Sequence, residues 1–242
     1  MILDLFDGER RDVPLAPGAI VLGGFAQPFE GSLVAALARV VERAPFRHMV
    51  TPGGHRMSVA MTNCGTAGWV TDRTGYRYDG HDPESGRRWP PMPDVFADLA
   101  AQAATRAGFD GFAPDACLIN RYEPGTRLSL HQDKNERDFE APIVSVSLGL
   151  PAVFLFGGSH RADTPRRVRL AHGDVVVWGG PARLRYHGVM PLEQGHHLDG
   201  RAPYQPDVPE GLIPWIDGNF CNASTRRGGH SRSRMPGCQT RS

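Results

Sequence analysis

Two segments of the chain carry apolar residues at the three- and four-residue spacing of an amphipathic helix. The first runs over about residues 32–43, where Ser32 stands at the position of a helix N-cap. The second runs over residues 94–107, with Pro93 before it and Gly108 near its end. The pattern therefore predicts two helices, and we expect both to pack on one outer face of the segment that follows.

From residue 116 onward the pattern changes to short apolar runs separated by Gly, Pro and Asp. Runs of this length and spacing predict the strands of a β-sandwich or jelly roll. The predicted strands are 117–120, 143–148, 152–156, 168–170 and 174–178.

Residues 50–91, between the predicted helices, are rich in Gly, Pro, Tyr, Trp and Met and show little helical period. Such a segment in a compact domain is typical of a lid or binding loop. An ordinary meander that covers the core explains the composition equally well. The pattern alone leaves both interpretations open.

The composition is that of a globular protein without a dominant charge. Of 242 residues, 40% are apolar and 22% are charged, and the formal net charge is +1. Any nucleic-acid binding must therefore come from a local basic face. No apolar run approaches the length of a membrane span. The first seven residues, MILDLFD, contain two acidic residues and no basic one, which is unlike a signal peptide. The four cysteines show no paired spacing, which predicts reduced thiols, no zinc site and a cytoplasmic location.

The candidate chemistry lies in a His-Gln-Asp triplet and in one histidine far downstream. Residues two apart in an extended chain point to the same side, so His131 and Asp133 can reach one metal ion. His187 must then be delivered by another strand of the same sheet. Two imidazoles and one carboxylate on one face of Fe(II) leave positions open for oxygen and a co-substrate. The alternative is a surface histidine and a solvated aspartate near a turn, with His187 an unrelated core residue.

Five segments closely resemble the AlkB family of Fe(II)/2-oxoglutarate-dependent nucleic-acid dealkylases, in the same order and spacing. They are MVTPGG (49–54), MSVAMTNCG (57–65), PDACLINRY (114–122), LSLHQDK (128–134) and HGDVVVWGG (172–180). The resemblance runs from the start of the chain to about residue 195.

The resemblance implies an α+β fold: a double-stranded β-helix (jelly roll) with helices packed on one face and a nucleotide-recognition lid. The implied segments are an N-terminal extension and helix (1–45), the lid (46–92) and the helix and jelly-roll dioxygenase core (93–197). Residues 198–242 form a divergent tail, which we expect to be frameshifted and disordered.

The resemblance also implies that Fe(II) is bound and that 2-oxoglutarate chelates it as a co-substrate. The implied iron ligands are His131, Asp133 and His187, and the implied 2-oxoglutarate segment comprises Asn120, Arg121 and Tyr122. Family members oxidise N-methyl groups of damaged bases and release formaldehyde, succinate and CO2. The iron and the co-substrate carry this chemistry, while the protein supplies ligands and orientation.

A methylated base must leave its stack to reach the metal, and an aromatic platform offsets part of that cost. By the resemblance, Trp69 stacks on the base, with the His131 ring on its other face. The other implied substrate-binding residues are Thr51, Met57, Met61, Tyr76, Arg77, Tyr78, Asn135 and Arg161. The alternatives are a core aromatic for Trp69, simple packing for the two methionines and a solvated loop charge for Arg161.

The implied partner is alkylated single-stranded DNA, with RNA and duplex DNA as alternatives, and the implied protein is a monomer that binds no membrane. Two functions compete. One is an oxidative demethylase that repairs 1-methyladenine and 3-methylcytosine. The other is an inactive family member that binds iron or nucleic acid without turnover. A sugar-binding or isomerase-type cupin shares the barrel but does not explain Trp69 and the lid motifs.

Position 135 departs from the family, whose best-known members carry an aspartate there. The favoured lesions are cationic, so a carboxylate beside the base attracts damaged bases over normal ones. Asn135 can hydrogen-bond an exocyclic amine but offers no charge. We expect weaker discrimination for cationic lesions, or transfer of this role to Glu136.

The end of the chain departs further. The family follows its second histidine with a strand that carries Arg-x-Asn and a second arginine, and these arginines bind the far carboxylate of 2-oxoglutarate. Residues 198–211 instead hold three prolines and no alternation, which argues against a central strand. Residues 222–242 are rich in Arg, Ser and Gly and predict disorder, as a nucleic-acid-binding arm or as a solvated extension.

A frameshift just after His197 explains this departure. Back-translated codons for residues 198–211, read one base later, restore Arg-Ile-Asn, a further arginine and an alternating strand pattern. We predict that DNA sequencing across codons 195–215 will reveal one gained or lost base. An error-free read that translates as printed would make the tail a real divergence.

Overall fold

The computed structural model describes residues 11–136 and 138–192, and the backbone of residues 212–217. Among these residues, no helix is both long enough and apolar enough to span a bilayer. The helices are α1 (Glu30–Arg43) and α2 (Asp94–Arg106). The strands are β1 (Val13–Ala16), β2 (Ala19–Leu22), β3 (Ala60–Gly65), β4 (Gly68–Asp72), β5 (Gly75–Asp79), β6 (Ala116–Arg121), β7 (Leu128–His131), β8 (Ile143–Val146), β9 (Ala152–Phe156), β10 (Arg166–Leu170), β11 (Val175–Trp178), β12 (His187–Val189) and β13 (Leu212–Asp217).

The strands form two facing sheets and one separate hairpin. The major sheet has the order β1-β2-β11-β8-β13-β6-β3, and the minor sheet has the order β10-β9-β12-β7. Strands β4 and β5 pair only with each other among the described strands. Neighbours such as β11 and β8, or β12 and β7, lie far apart in the sequence and run antiparallel. This is the predicted jelly roll.

The inner core lies between the two sheets, and the outer core lies between the major sheet and the helices. Strand β6 shows how the sequence divides them, because successive side chains of a strand point to opposite faces. Cys117 and Ile119 pack in the outer core, whereas Leu118 and Tyr122 pack in the inner core.

The helices cover one outer face of the major sheet, as predicted. Their buried residues Leu33, Leu37, Phe96 and Leu99 all belong to the outer core. The predicted N-cap at Ser32 is wrong, because α1 begins at Glu30. A short 3-10 turn over Gln27–Phe29 runs directly into the helix, so the chain is already helical before Ser32.

Helix α2 agrees more closely with its sequence signals. Pro93 is the N-cap residue, with φ −61° and ψ 140°, and the helix ends at Arg106. Gly108 follows with φ +90°, a conformation that favours glycine.

Strands β1, β2 and β3 of the major sheet are among those that lie where the sequence predicted none. Strands β1 and β2 extend the major sheet beside β11, so residues 13–22 are part of the barrel and not an extension. Strand β3 pairs with β6 along its whole length, so residues 60–65 belong to the sheet and not to a lid. Strand β3 is buried on both faces and therefore lacks the alternation that marks a half-exposed strand.

Strand β13 lies inside the tail for which the sequence predicted disorder, so that prediction is wrong for residues 212–217. The strand runs antiparallel between β6 and β8 in the major sheet. Pro214 is opposite Ile119 of β6, and pairing with β8 begins only at Trp215. A proline is tolerated where a strand is paired on one side. The remaining tail, residues 198–211 and 218–242, lies outside the described residues.

Gly188 allows the close approach of β12 to β7. A Cβ at this position would lie 2.6 Å from the Leu128 carbonyl oxygen and 3.1 Å from the Ser129 carbonyl carbon, which are backbone atoms that cannot rotate away. We predict that Gly188→Ala lowers the free energy of unfolding by about 1–3 kcal/mol, measured by urea denaturation. Gly31→Ala is the matched control, because a Cβ there meets nothing within 4 Å. Equal stability of the two variants would contradict this assignment.

Candidate active site

Two adjacent strands of the minor sheet deliver the predicted metal ligands. His131 ends β7, His187 begins β12, and the two residues are direct cross-strand partners. Asp133 follows β7 by two residues. The three residues can each offer one ligand atom such that all three atoms lie within 4.8 Å of one another. The structure thus confirms that one sheet brings the triplet and the distant histidine together.

Backbone carbonyls orient both imidazoles. Nδ1 of His131 lies 2.8 Å from the Ser129 carbonyl oxygen, and Nδ1 of His187 lies 3.0 Å from the Arg185 carbonyl oxygen. A carbonyl only accepts, so each Nδ1 carries the proton and each Nε2 presents a lone pair. Both Nε2 atoms face Asp133, at 3.5 Å from Oδ1 for His131 and 3.2 Å from Oδ2 for His187.

The protonation states suit a metal. Burial, together with the neighbouring His187, lowers the pKa of His131 to about 4. Burial opposes ionisation of Asp133, but the two histidines outweigh it and lower its pKa to about 2. At neutral pH the His131 imidazole is therefore neutral and the Asp133 carboxylate is ionised, as metal ligation requires.

The donor set fits Fe(II). Two imidazole nitrogens and one carboxylate on one side are the arrangement of non-haem iron oxygenases, with positions left open. Oδ2 of Asp133 is buried and accepts no hydrogen bond from the described residues. A buried anionic oxygen without a donor is costly, and a cation at this position would satisfy it.

A second group of buried polar atoms lies on the inner side of β6. Asn120 and Tyr122 are both 0% exposed. Within the described part of the chain, the Asn120 amide and the Tyr122 hydroxyl make no hydrogen bond. Burial raises the pKa of Tyr122, and the charge of Asp133 raises it further, so the phenol stays a neutral donor within electrostatic reach of the metal ligands. These orphaned groups fit a small polar acid such as 2-oxoglutarate.

Arg121 does not join this group, although the sequence placed it there. Alternation along β6 directs it away from Asn120 and Tyr122. Its guanidinium lies 5.0 Å from the Phe46 ring centroid and 3.4 Å from Glu123. Strand β13 pairs with β6 alongside Asn120, and its sequence LIPWID contains no basic residue.

The β4–β5 hairpin carries the predicted aromatic platform. Trp69, Tyr76 and Tyr78 share one face, because Trp69 is directly opposite Tyr78 and Tyr76 is two residues along. The rings of Trp69 and Tyr76 stack with centroids 5.7 Å apart and planes at 26°. Tyr76 is 48% exposed, so the platform is open to solvent on that side.

Asn63 holds the backbone of Trp69 in place, although no pattern in the sequence singled it out beyond its membership of the segment MSVAMTNCG (57–65). Its amide donates to the Trp69 carbonyl at 3.0 Å, and its Oδ1 accepts from the Trp69 N–H at 3.0 Å. A Cβ at Gly68 would lie 2.6 Å from the Asn63 Cβ and 2.7 Å from the Trp89 ring, so glycine is needed for this contact.

Three other predicted substrate-binding residues each make a polar contact of their own. Arg77 is on the opposite face of the hairpin, where it pairs with Asp72 at 2.9 Å, so the structure does not bring it to the aromatic face. Thr51 accepts from the His55 N–H at 3.1 Å within a turn. Arg161 is exposed and donates to the Leu130 carbonyl at 2.5 Å, next to the first metal ligand.

The remaining predicted residues differ in burial. Met61 is 2% exposed and lies opposite Asn120 in the β3–β6 pairing, so it packs in the inner core. Met57 is half-buried and packs against the same core. Asn135 is exposed, two residues beyond Asp133. Trp178, which the sequence did not single out, packs its ring 4.9 Å from that of His187.

Known proteins resemble this chain in sequence and in fold. A sequence model of the 2OG-Fe(II) oxygenase superfamily matches residues 18–227. The alpha-ketoglutarate-dependent dioxygenase AlkB of Escherichia coli (strain K12) is 57% identical over 197 residues, which are 81% of this chain and 91% of the relative. The nucleic acid dioxygenase ALKBH1 of Mus musculus is 37% identical over 122 residues, 50% of this chain and 31% of the relative. The solved structure of OsALKBH1 shares the fold, with a TM-score of 0.71 and 24% identity over 86% of this chain and 99% of that chain. The chain belongs to the 2OG-Fe(II) oxygenase superfamily and, within it, to the AlkB dioxygenases, which depend on Fe(II) and 2-oxoglutarate.

Proposed function

We propose that this protein oxidatively demethylates alkylated bases in nucleic acid, with single-stranded DNA as the first substrate to test. The observation that carries the proposal is the contact between the aromatic hairpin and the metal-ligand segment. The Tyr78 hydroxyl donates to Glu136, three residues beyond Asp133, at 2.9 Å. An oxygenase of small polar metabolites needs no aromatic platform beside its metal, whereas an enzyme of extruded bases does.

Different described residues would bind the metal, the co-substrate and the base. His131, Asp133 and His187 would hold Fe(II), and Asn120 and Tyr122 would hydrogen-bond 2-oxoglutarate. When bound, Fe(II) and 2-oxoglutarate turn dioxygen into an oxidant that hydroxylates an N-methyl group, with release of formaldehyde, succinate and CO2.

The protein's own part is to extract and align the base. Stacking on an aromatic side chain contributes about 1–3 kcal/mol per base, which offsets the loss of stacking in the nucleic acid. Trp69 supplies this surface and is held by the Asn63 amide. Arg161 lies exposed beside the first metal ligand, where its guanidinium can bind a phosphate. The proposed lesions are 1-methyladenine and 3-methylcytosine, and the proposed acting species is a monomer.

A product assay tests the proposal. With Fe(II) and 2-oxoglutarate, an oligonucleotide containing 1-methyladenine should yield formaldehyde and succinate in equal amounts. Omission of 2-oxoglutarate should abolish both, and His131→Ala should abolish both because one ligand of the proposed iron site is removed. Binding of iron and oligonucleotide without formaldehyde would establish the inactive alternative instead.

Asn135 gives a prediction about lesion preference. Glu136 is 8% exposed and already bonded to Tyr78, which favours loss of the charge contact over its transfer to Glu136. We expect Asn135→Asp to raise the preference for 1-methyladenine over 1-methylguanine about fivefold, since a unit charge 4 Å away in water contributes about 1 kcal/mol. Competition kinetics on the two oligonucleotides measure this ratio. Equal ratios in the native protein and the variant would contradict the prediction.

A further inference from the structure

A buried ion pair lies between the aromatic hairpin and the metal-ligand segment. Glu136 is 8% exposed and Arg183 is 2% exposed, and their charged groups approach to 3.4 Å. On one side of the pair, the Tyr78 hydroxyl donates to Glu136 Oε1 at 2.9 Å. On the other side, Nη1 of Arg183 donates to the Asp133 carbonyl oxygen at 2.9 Å, and Nε donates to the Ala141 carbonyl at 3.1 Å.

The geometry of the guanidinium makes this chain of contacts stiff. A buried arginine is tolerated when its charge is paired and its donors are engaged. The group is planar, so the directions of its donors are fixed relative to one another. Arg183 therefore links the position of Glu136 to that of the Asp133 backbone. The Phe139 ring, 5.6 Å from the guanidinium carbon, packs against it.

Tyr78 connects this pair to the platform. It is the direct cross-strand partner of Trp69, so the two residues move with the same hairpin. The hairpin pairs with no other described strand. A shift of the aromatic face of the hairpin therefore changes the distance from Tyr78 to Glu136. Because Arg183 contacts both Glu136 and the Asp133 backbone, the same shift displaces Asp133, which supplies the only carboxylate of the described metal triad.

We propose that Tyr78, Glu136 and Arg183 form a positioning relay through which the hairpin sets the metal affinity of the site. None of the three residues is a metal ligand. They act by holding the backbone of Asp133 so that its carboxylate meets the two imidazoles. The link from this relay to base binding rests on the proposed function, whereas the relay itself is a property of the folded chain.

The first test compares two tyrosines on the same face of the hairpin. Tyr78→Phe removes the hydroxyl that bonds Glu136, and Tyr76→Phe makes the same change at an exposed ring that stacks on Trp69. Co(II) is titrated into each purified full-length protein and followed by its visible d–d absorption. We expect Tyr78→Phe to bind Co(II) about fivefold more weakly, the equivalent of one hydrogen bond, with an altered d–d spectrum. Tyr76→Phe should match the native protein.

The second test compares two arginines on one segment. Arg183→Lys keeps the positive charge but removes the planar guanidinium and its several donors. Loss of a hydrogen bond that supports a metal-ligating residue typically lowers metal affinity by about 10–100-fold. Arg185→Lys is the matched control, because its Nε donates to the Gly157 carbonyl and not to Asp133. Its affinity for Co(II) should stay near the native value. If Arg183→Lys does not fold, the tyrosine pair decides alone.

Native Co(II) affinity and spectrum in Tyr78→Phe would overturn the relay, as would an equal loss in Tyr76→Phe. Thermal unfolding of both tyrosine variants is measured alongside, because a merely structural role would lower stability without changing the d–d spectrum. The titration contains no nucleic acid and no turnover. A failure of demethylation in the product assay is therefore distinguishable from a failure of the relay.

Discussion

The pairing of β7 with β12 is the constraint on which the site depends. It sets His131 directly opposite His187, with ring centroids 4.4 Å apart. A slip of one residue in this register would turn one imidazole to the other face of the sheet. Gly188 permits the close approach of the two backbones, and the buried rings of Trp178 and Phe154 lie beside that of His187. The placement of the candidate metal ligands is thus a consequence of sheet register and core packing.

Around this strand pairing, the inner core contains buried polar groups that form no hydrogen bond with other described residues. Asn120, Tyr122 and Asp133 all carry buried atoms without hydrogen bonds among the described residues. Such groups lower stability unless a ligand completes them. Asn120 and Tyr122 lie on the inner side of β6, and the charge of Asp133 reaches the Tyr122 hydroxyl. A dioxygenase of this family would bind Fe(II) and 2-oxoglutarate beside such unsatisfied groups. The outer core, packed under two helices, carries none of this chemistry and supports the major sheet from behind.

Polar contacts hold the β4–β5 hairpin, which pairs with no other described strand. Asn63 clasps the Trp69 backbone, and the Trp89 indole donates to the Asp79 carbonyl at 2.9 Å. Arg47, which lies over the Trp89 ring at 5.2 Å, pairs with Asp82 at 2.5 Å just beyond β5. Directional contacts of this kind fix an orientation with few atoms, which suits a surface that must receive a base beside a buried metal site.

The sequence by itself determined both helices, five of the strands between residues 116 and 178 and the pairing of His131 with Asp133 as candidate metal ligands. Each of these signals is local: helical spacing, short apolar runs and a His-x-Asp triplet. The sequence did not reveal β1 to β5 or β13. Strand β3, for example, is buried on both faces and shows no alternation, and β13 lies in the tail that was expected to be disordered. Only the tertiary structure decided that Arg121 points away from Asn120 and that Asn63, Glu136 and Arg183 support the site. The contacts of Glu136 with Tyr78 and of Arg183 with Asp133 join residues more than forty positions apart. No local pattern encodes such contacts, because they arise from how the strands are registered and packed.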